Sequence, residues 1–121
     1  MPFHRLLKGL VERSPGARGA VFCDHEGEFV QLVIQDQALT DYDMRCYGAH
    51  LAATWLSLEN GSTLWGAGGI VELKIDCDGG TLLCRALRDG YYLVLLLARG
   101  AATAPAAFEM RRVAEEVSRE L

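Results

Sequence analysis

The residues that could do chemistry are few and scattered. The cysteines are Cys23, Cys46, Cys77 and Cys84, and no two form the CxxC pair of zinc ribbons and thioredoxin-like redox sites. Reduced, buried thiols are the expectation. If Gly79-Gly80 is a two-residue loop, Cys77 and Cys84 fall diagonally on one face of a hairpin, where a disulfide would add little. His4, His25 and His50 lie in different segments, and none has a metal-ligating partner three or four residues on. Asp24 with Glu26, and Asp76 with Asp78, are neighbouring carboxylates. Acid–base work needs such a pair in a water-poor cleft that drives the two pKa values apart. Both pairs instead fall at turns, where Asp serves the backbone. Gly61-Ser62-Thr63-Leu64-Trp65-Gly66 matches the GxxxxG half of a phosphate loop. Ala67 and Gly68 then stand where Lys and a hydroxyl residue are required. There is no GxSxG elbow and no Cys–His pairing. No catalytic, cofactor-binding or metal-binding residue is expected, and an enzyme is not the expected class.

The elements that would carry any site follow from periodicity. The chain has 121 residues, the size of one domain, so residues 1–121 are read as a single unit. Half the residues are apolar and 23% are charged, a globular balance. The net charge of −4 argues against nucleic acid as the main partner, because duplex binding needs clustered Lys and Arg. Charges interrupt the first residues too often for a signal peptide. No run approaches the roughly 20 apolar residues of a membrane span. The expectation is a soluble, cytoplasmic protein without membrane insertion.

Phe3, Leu6, Leu7, Leu10 and Val11 mark one amphipathic helix, ended by Ser14-Pro15-Gly16. Arg18–Asp24 and Glu28–Ile34 read as strands around the turn Asp24-His25-Glu26-Gly27. Asp41 or Asp43 is expected to cap a helix over Asp43–Asn60, with Met44, Tyr47, Gly48, Leu51, Ala52, Trp55 and Leu58 on its core side. That helix is expected to stop near Asn60-Gly61, and Gly61–Gly69 to be loop. Three strands follow: Ile70–Cys77, Thr81–Leu87 and Tyr91–Ala98, parted by Asp78-Gly79-Gly80 and Arg88-Asp89-Gly90. Tyr91–Ala98 is apolar throughout and must be covered on both faces. A last helix begins near Pro105, with Ala107, Met110, Val113, Ala114, Val117 and Leu121 along one side. The order α-β-β-α-β-β-β-α makes an α/β (α+β) fold, a five-stranded antiparallel sheet between helices.

Three features point outward. Cys46, Ala49, Ala53 and Leu56 form a second stripe on the middle helix, which suits close approach of another helix; helix propensity is the alternative reason for the alanines. Ile70–Cys77 reads as a sheet edge. Its Ile70, Val71, Glu72, Leu73, Lys74 and Ile75 either pair with a second chain or carry charges that protect the edge. Trp65, in its Gly-rich setting, either folds back on the domain's rim or meets a second chain.

Gly19-Ala20-Val21-Phe22 followed by Asp24-His25-Glu26-Gly27 resembles the "G-a-x-x-x-D-x-x-G" hairpin of the Roadblock family, the dynein light chain relatives that include bacterial partners of small Ras-like GTPases. The helix around Gly48-Ala49-His50-Leu51-Ala52-Ala53, the strand Ile70-Val71-Glu72-Leu73-Lys74-Ile75, and Leu87-Arg88-Asp89-Gly90-Tyr91-Tyr92-Leu93-Val94 are similar to that family in order and spacing. The resemblance covers nearly the whole chain and implies a Roadblock (profilin-like) sandwich. It also implies a homodimer made by pairing the third strands and packing the second helices, here Ile70–Cys77 and Asp43–Asn60. In the bacterial GTPase regulators the paired helices are the docking surface, which by position implies Arg45, Ala49, His50, Ala53 and Thr54. An arginine finger is not a family motif, so Arg45 is not read as one. The function this implies is a non-enzymatic dimeric platform that binds a small Ras-like GTPase, with regulation of that GTPase as the further expectation. The alternatives are a scaffold or adaptor without a GTPase partner, or a small-molecule sensor with Tyr91, Tyr92, Trp55 and Cys84 around a ligand.

Overall fold

A computed structural model describes residues 2–121. Helix α1 (Pro2–Arg13) precedes strands β1 (Ala17–Cys23) and β2 (Phe29–Ile34). Helix α2 (Asp41–Trp65) leads to β3 (Glu72–Cys77), β4 (Gly80–Ala86) and β5 (Tyr92–Ala98), and helix α3 (Thr103–Arg119) follows. The strands form one sheet in the order β2-β1-β5-β4-β3, and every neighbouring pair is antiparallel.

The apolar run at the end of the strand series takes the middle of this sheet because side chains alternate faces along a strand. Leu93, Leu95 and Leu97 of β5 pack with Leu7 and Leu10 of α1 and with Met110 and Val113 of α3. Val94 and Leu96 face the other way, against Met44, Leu51 and Trp55 of α2. Both layers are dry, so β5 has no polar face to offer. Each of these side chains contributes about 1.5–3 kcal/mol by leaving water. The result is an α/β/α sandwich with α1 and α3 on one side and α2 alone on the other.

Four local expectations are corrected. Helix α2 does not stop at Asn60-Gly61 but runs to Trp65. One internal glycine costs only about 1 kcal/mol against alanine and does not by itself end a helix. The stop is Gly66, whose φ of 68° is the left-handed cap that favours glycine. The GxxxxG match therefore lies along a helix and its cap, and Trp65 is helical rather than in a loop. Secondly, the cap of α2 is Thr40. Its Oγ1 accepts the Asp43 amide at 3.1 Å, while the Asp43 carboxylate accepts the Thr40 amide at 2.9 Å. This is a reciprocal capping box, and the backbone bond to Thr40 holds the Asp43 carboxyl below its ordinary pKa.

Thirdly, Cys77 and Cys84 are not diagonal neighbours. Cys77 stands opposite Gly80, and Cys84 opposite Leu73. Four strand residues, roughly 13 Å, separate the two thiols along the hairpin. All four cysteines are free: Cys23 and Cys84 are buried and Cys77 is exposed. Fourthly, the buried side of α3 adds Ala106 to Met110, Val113, Ala114 and Val117, while Ala107 and Leu121 are half-buried against the same core.

Candidate interaction surface

Helix α2 buries one stripe and exposes the other. Met44, Gly48, Leu51, Ala52 and Trp55 are buried against the sheet. On the outer side Ala49, His50, Ala53, Thr54 and Leu56 are exposed, and Cys46 is half-buried. Leu56 is 62% exposed and Trp65 72%, both large for apolar side chains. The Trp65 ring lies over Gly61, one turn back, where an added Cβ would sit 3.6 Å from it. Trp65 thus stays at the surface at the end of α2.

Small size along this stripe has a reason inside the protomer at one position. The turn between β1 and β2 rests on α2 at Ala49, so closely that a Cβ on Gly27 would fall 2.8 Å from the Ala49 Cα. Gly27 also has a φ of 84°, which glycine tolerates. Ala49 is therefore small to admit the turn.

Beside the turn is a groove of about 390 Å³, lined by Glu26, Glu28, Phe29, Tyr42, Arg45 and Cys46 among others. Arg45 is exposed and its guanidinium sits 4.5 Å over the Phe29 ring, a cation–π contact that extends the arginine flat along the surface. Sequence reasoning passes over Tyr42 and Phe29 as site residues. Their only signal is being aromatic at positions outside the core stripes. A side-chain hydrogen bond with Cys46 is the first cause that pushes the Tyr42 phenol above its ordinary pKa. His50 is exposed, and its carbonyl accepts the Thr54 hydroxyl at 2.9 Å.

Strand β3 ends the strand order, so one of its backbone edges faces outward. Leu73 and Ile75 are half-buried on the α2 side of the sheet. Val71, just before the strand, is 58% exposed. On the α3 side, Glu72 accepts from Arg85 at 3.1 Å and from Arg111 at 3.3 Å, fixing the strand to β4 and α3. Lys74 lies 3.5 Å from Asp76 on the same side.

One carboxylate joins the helix surface to the strand surface. Glu59 Oε1 accepts the Trp55 indole N–H at 2.9 Å and the Ile70 amide at 3.2 Å. It therefore sets where the chain leaves α2 and enters β3. The stripe and the edge are held in one frame by this contact.

The residues expected around a small-molecule ligand do not share a cavity. Trp55 and Cys84 fill the core at 1% exposure each. Tyr92 tilts against Trp55 at 5.3 Å, whereas Tyr91 stacks on Phe22 at 5.3 Å across the sheet. Among the described residues, no three or more His, Cys, Asp or Glu side chains form a group that could hold a metal ion. No described helix is long and apolar enough to cross a membrane.

Fold and surface together define a small α/β/α sandwich that presents an open helix face and an open sheet edge. The Roadblock/LC7 domain model matches residues 5–97, and the chain belongs to that family. Among solved structures, a Roadblock/LC7 domain from Streptomyces avermitilis superposes with a TM-score of 0.84 at 20% identity, covering 97% of this chain and 95% of that one. The gliding protein MglB from Thermus thermophilus gives 0.85 at 17% identity, covering 95% and 84%. Profilin IA from Acanthamoeba castellanii gives 0.61 at 11% identity over 98% of this chain and 98% of that one, so the sandwich is profilin-like. Comparison with curated protein sequences gave no match.

Proposed function

We propose that this chain is a non-enzymatic platform that pairs with a second copy of itself and binds a small Ras-like GTPase. The observation that carries the reading is the outer stripe of α2, where Ala53, Leu56 and Trp65 are exposed, together with the open β3 edge. Exposed apolar surface and an unpaired strand are both features that association covers. Family membership and the MglB-like fold support the same assignment. Cys46, Ala49, Ala53 and Leu56 would face the partner helix, and Ile70 to Ile75 the partner strand. Arg45, Ala49, His50, Ala53, Thr54 and Trp65 would then form part of the surface offered to the GTPase.

The mechanism is positional. Two copies hold a rigid helical surface against a GTPase switch and favour whichever nucleotide state it fits better. A surface with equal affinity for both states would shift nothing. Any acceleration of hydrolysis would draw its catalytic groups from the GTPase. The test is calorimetric titration with a Ras-like GTPase encoded beside this chain, loaded in turn with GDP and with a non-hydrolysable GTP analogue. Unequal binding of the two states is expected, and Ala53→Arg should abolish it. Heat-silent titrations in both states, with no complex on sizing, would reject the assignment.

A further inference from the structure

The β3 edge carries enough information to specify how two copies align. The amide of Ala86 donates to the carbonyl of Val71 at 3.0 Å, continuing the β3–β4 register in which Glu72 faces Arg85. In an antiparallel ladder the direction of the backbone groups alternates. Val71, Leu73, Ile75 and Cys77 therefore turn their N–H and C=O toward β4, and Glu72, Lys74 and Asp76 turn theirs outward. The outward residues are also the charged ones, negative, positive, negative, and all three side chains stand on the α3 side.

A two-fold axis through β3 makes the strand pair with itself in the antiparallel sense, so the axis position fixes every neighbour. An axis at Lys74 sets Lys74 against the partner's Lys74 and Glu72 against the partner's Asp76, which places like charges directly opposite each other. An axis at Glu72 opposes the two Glu72 carboxylates. An axis at Ile75 matches Lys74 with the partner's Asp76 but sets Glu72 against the partner's Asp78. It also leaves Val71, already 58% exposed, beyond the end of the ladder.

We propose that the two copies pair with the axis at Leu73, so that Glu72 of each chain faces the partner's Lys74. This alignment rests on the homodimer proposed above. Every charged pair near the axis is then of opposite sign, and Lys74 adds a third cation to the Arg85 and Arg111 already on Glu72. On the α2 side Leu73 meets the partner's Leu73, and Val71 meets the partner's Ile75, so the exposed valine is covered. The ladder runs from Ile70 to Asp76. A second copy of this chain is the occupant that fits, because the charge and apolar pattern is complementary to itself about one point.

Oxidative cross-linking reads the alignment directly. With the axis at Leu73, Val71 and the partner's Ile75 form a non-hydrogen-bonded pair with Cα atoms about 4.5 Å apart, within disulfide reach. Chains carrying Val71→Cys, mixed with chains carrying Ile75→Cys, should yield a disulfide-linked mixed dimer, and neither variant alone should do so. Glu72→Cys mixed with Lys74→Cys is an independent pair on the other face with the same expectation, and guards against a folding defect in the first. Covalent dimer from Ile75→Cys alone would place the axis at Ile75. Covalent dimer from Val71→Cys alone, through the native Cys77, would place it at Lys74. Either result overturns the alignment while leaving the homodimer standing. A one-chain mass for the wild-type protein by light scattering would overturn the homodimer itself, and the alignment with it.

Discussion

Replacing Glu59 by alanine is the most informative single change to the protomer. One oxygen of its carboxylate serves the indole N–H of Trp55 and the amide of Ile70. Trp55 is 1% exposed, so its donor cannot turn to water when the acceptor goes. A buried donor left unmade costs about 1–3 kcal/mol. Ile70 is only half-buried, and its amide can be rehydrated at a cost below about 1 kcal/mol. Glu59→Ala should therefore lower stability by about 2 kcal/mol, a fall in Tm of roughly 6–10 °C for a domain of this size. Glu59→Gln keeps an acceptor in the same place and should lose less than about 1 kcal/mol. Urea unfolding followed by circular dichroism measures both. Hydrogen exchange at the Ile70 amide should quicken in the alanine variant. If alanine and glutamine are equally destabilising, or alanine falls within about 0.5 kcal/mol of wild type, the bridge between α2 and β3 is not the one described.

Other perturbations follow from the same geometry. Burial, then the nearby Asp24 charge, pushes the Cys23 thiol up to about 12 from a usual 9.0, and burial likewise raises Cys84. Both pKa values are raised in the folded state, so this contribution to stability is complete below about pH 9 and is lost as pH rises toward 12. The urea midpoint should fall steadily from about pH 8 to about pH 10.5, and less steeply in Cys23→Ala and Cys84→Ala; a flat profile in wild type would contradict the burial argument. Thr40→Ala opens the capping box of α2 and should cost about 1 kcal/mol in urea unfolding, with Thr40→Ser close to wild type. Proline separates the two edges of β3. Leu73→Pro removes a donor to β4 and should disrupt the fold by circular dichroism. Lys74→Pro removes one that points outward and should give a folded monomer on sizing.

How far the sequence reveals this arrangement depends on how local each signal is. Tyr91–Ala98 announces itself as the central strand because an unbroken apolar run has only one place in a sheet, and the alternation of Val71 to Cys77 marks an edge. The core stripe of α2 from Met44 to Trp55 is equally plain. The end of α2 is hidden because Asn60-Gly61 resembles a stop, whereas the chain passes through Gly61 to the left-handed Gly66. Thr40 is overlooked for Asp41 and Asp43 because a capping box is defined by which side chain faces which amide, and three candidates stand within four residues. At the surface, the exposed stripe is legible from spacing. The contact of Gly27 with Ala49, the stacking of Arg45 on Phe29 and the double role of Glu59 join residues distant in sequence. Periodicity carries no trace of such contacts.

The central claim is that the outer stripe of α2 and the edge of β3 are covered by a second copy of this chain. Light scattering coupled to size exclusion at tens of micromolar tests it most directly. The account predicts the mass of two chains for the wild-type protein and of one chain for Lys74→Pro; a single-chain mass for the wild type would contradict it.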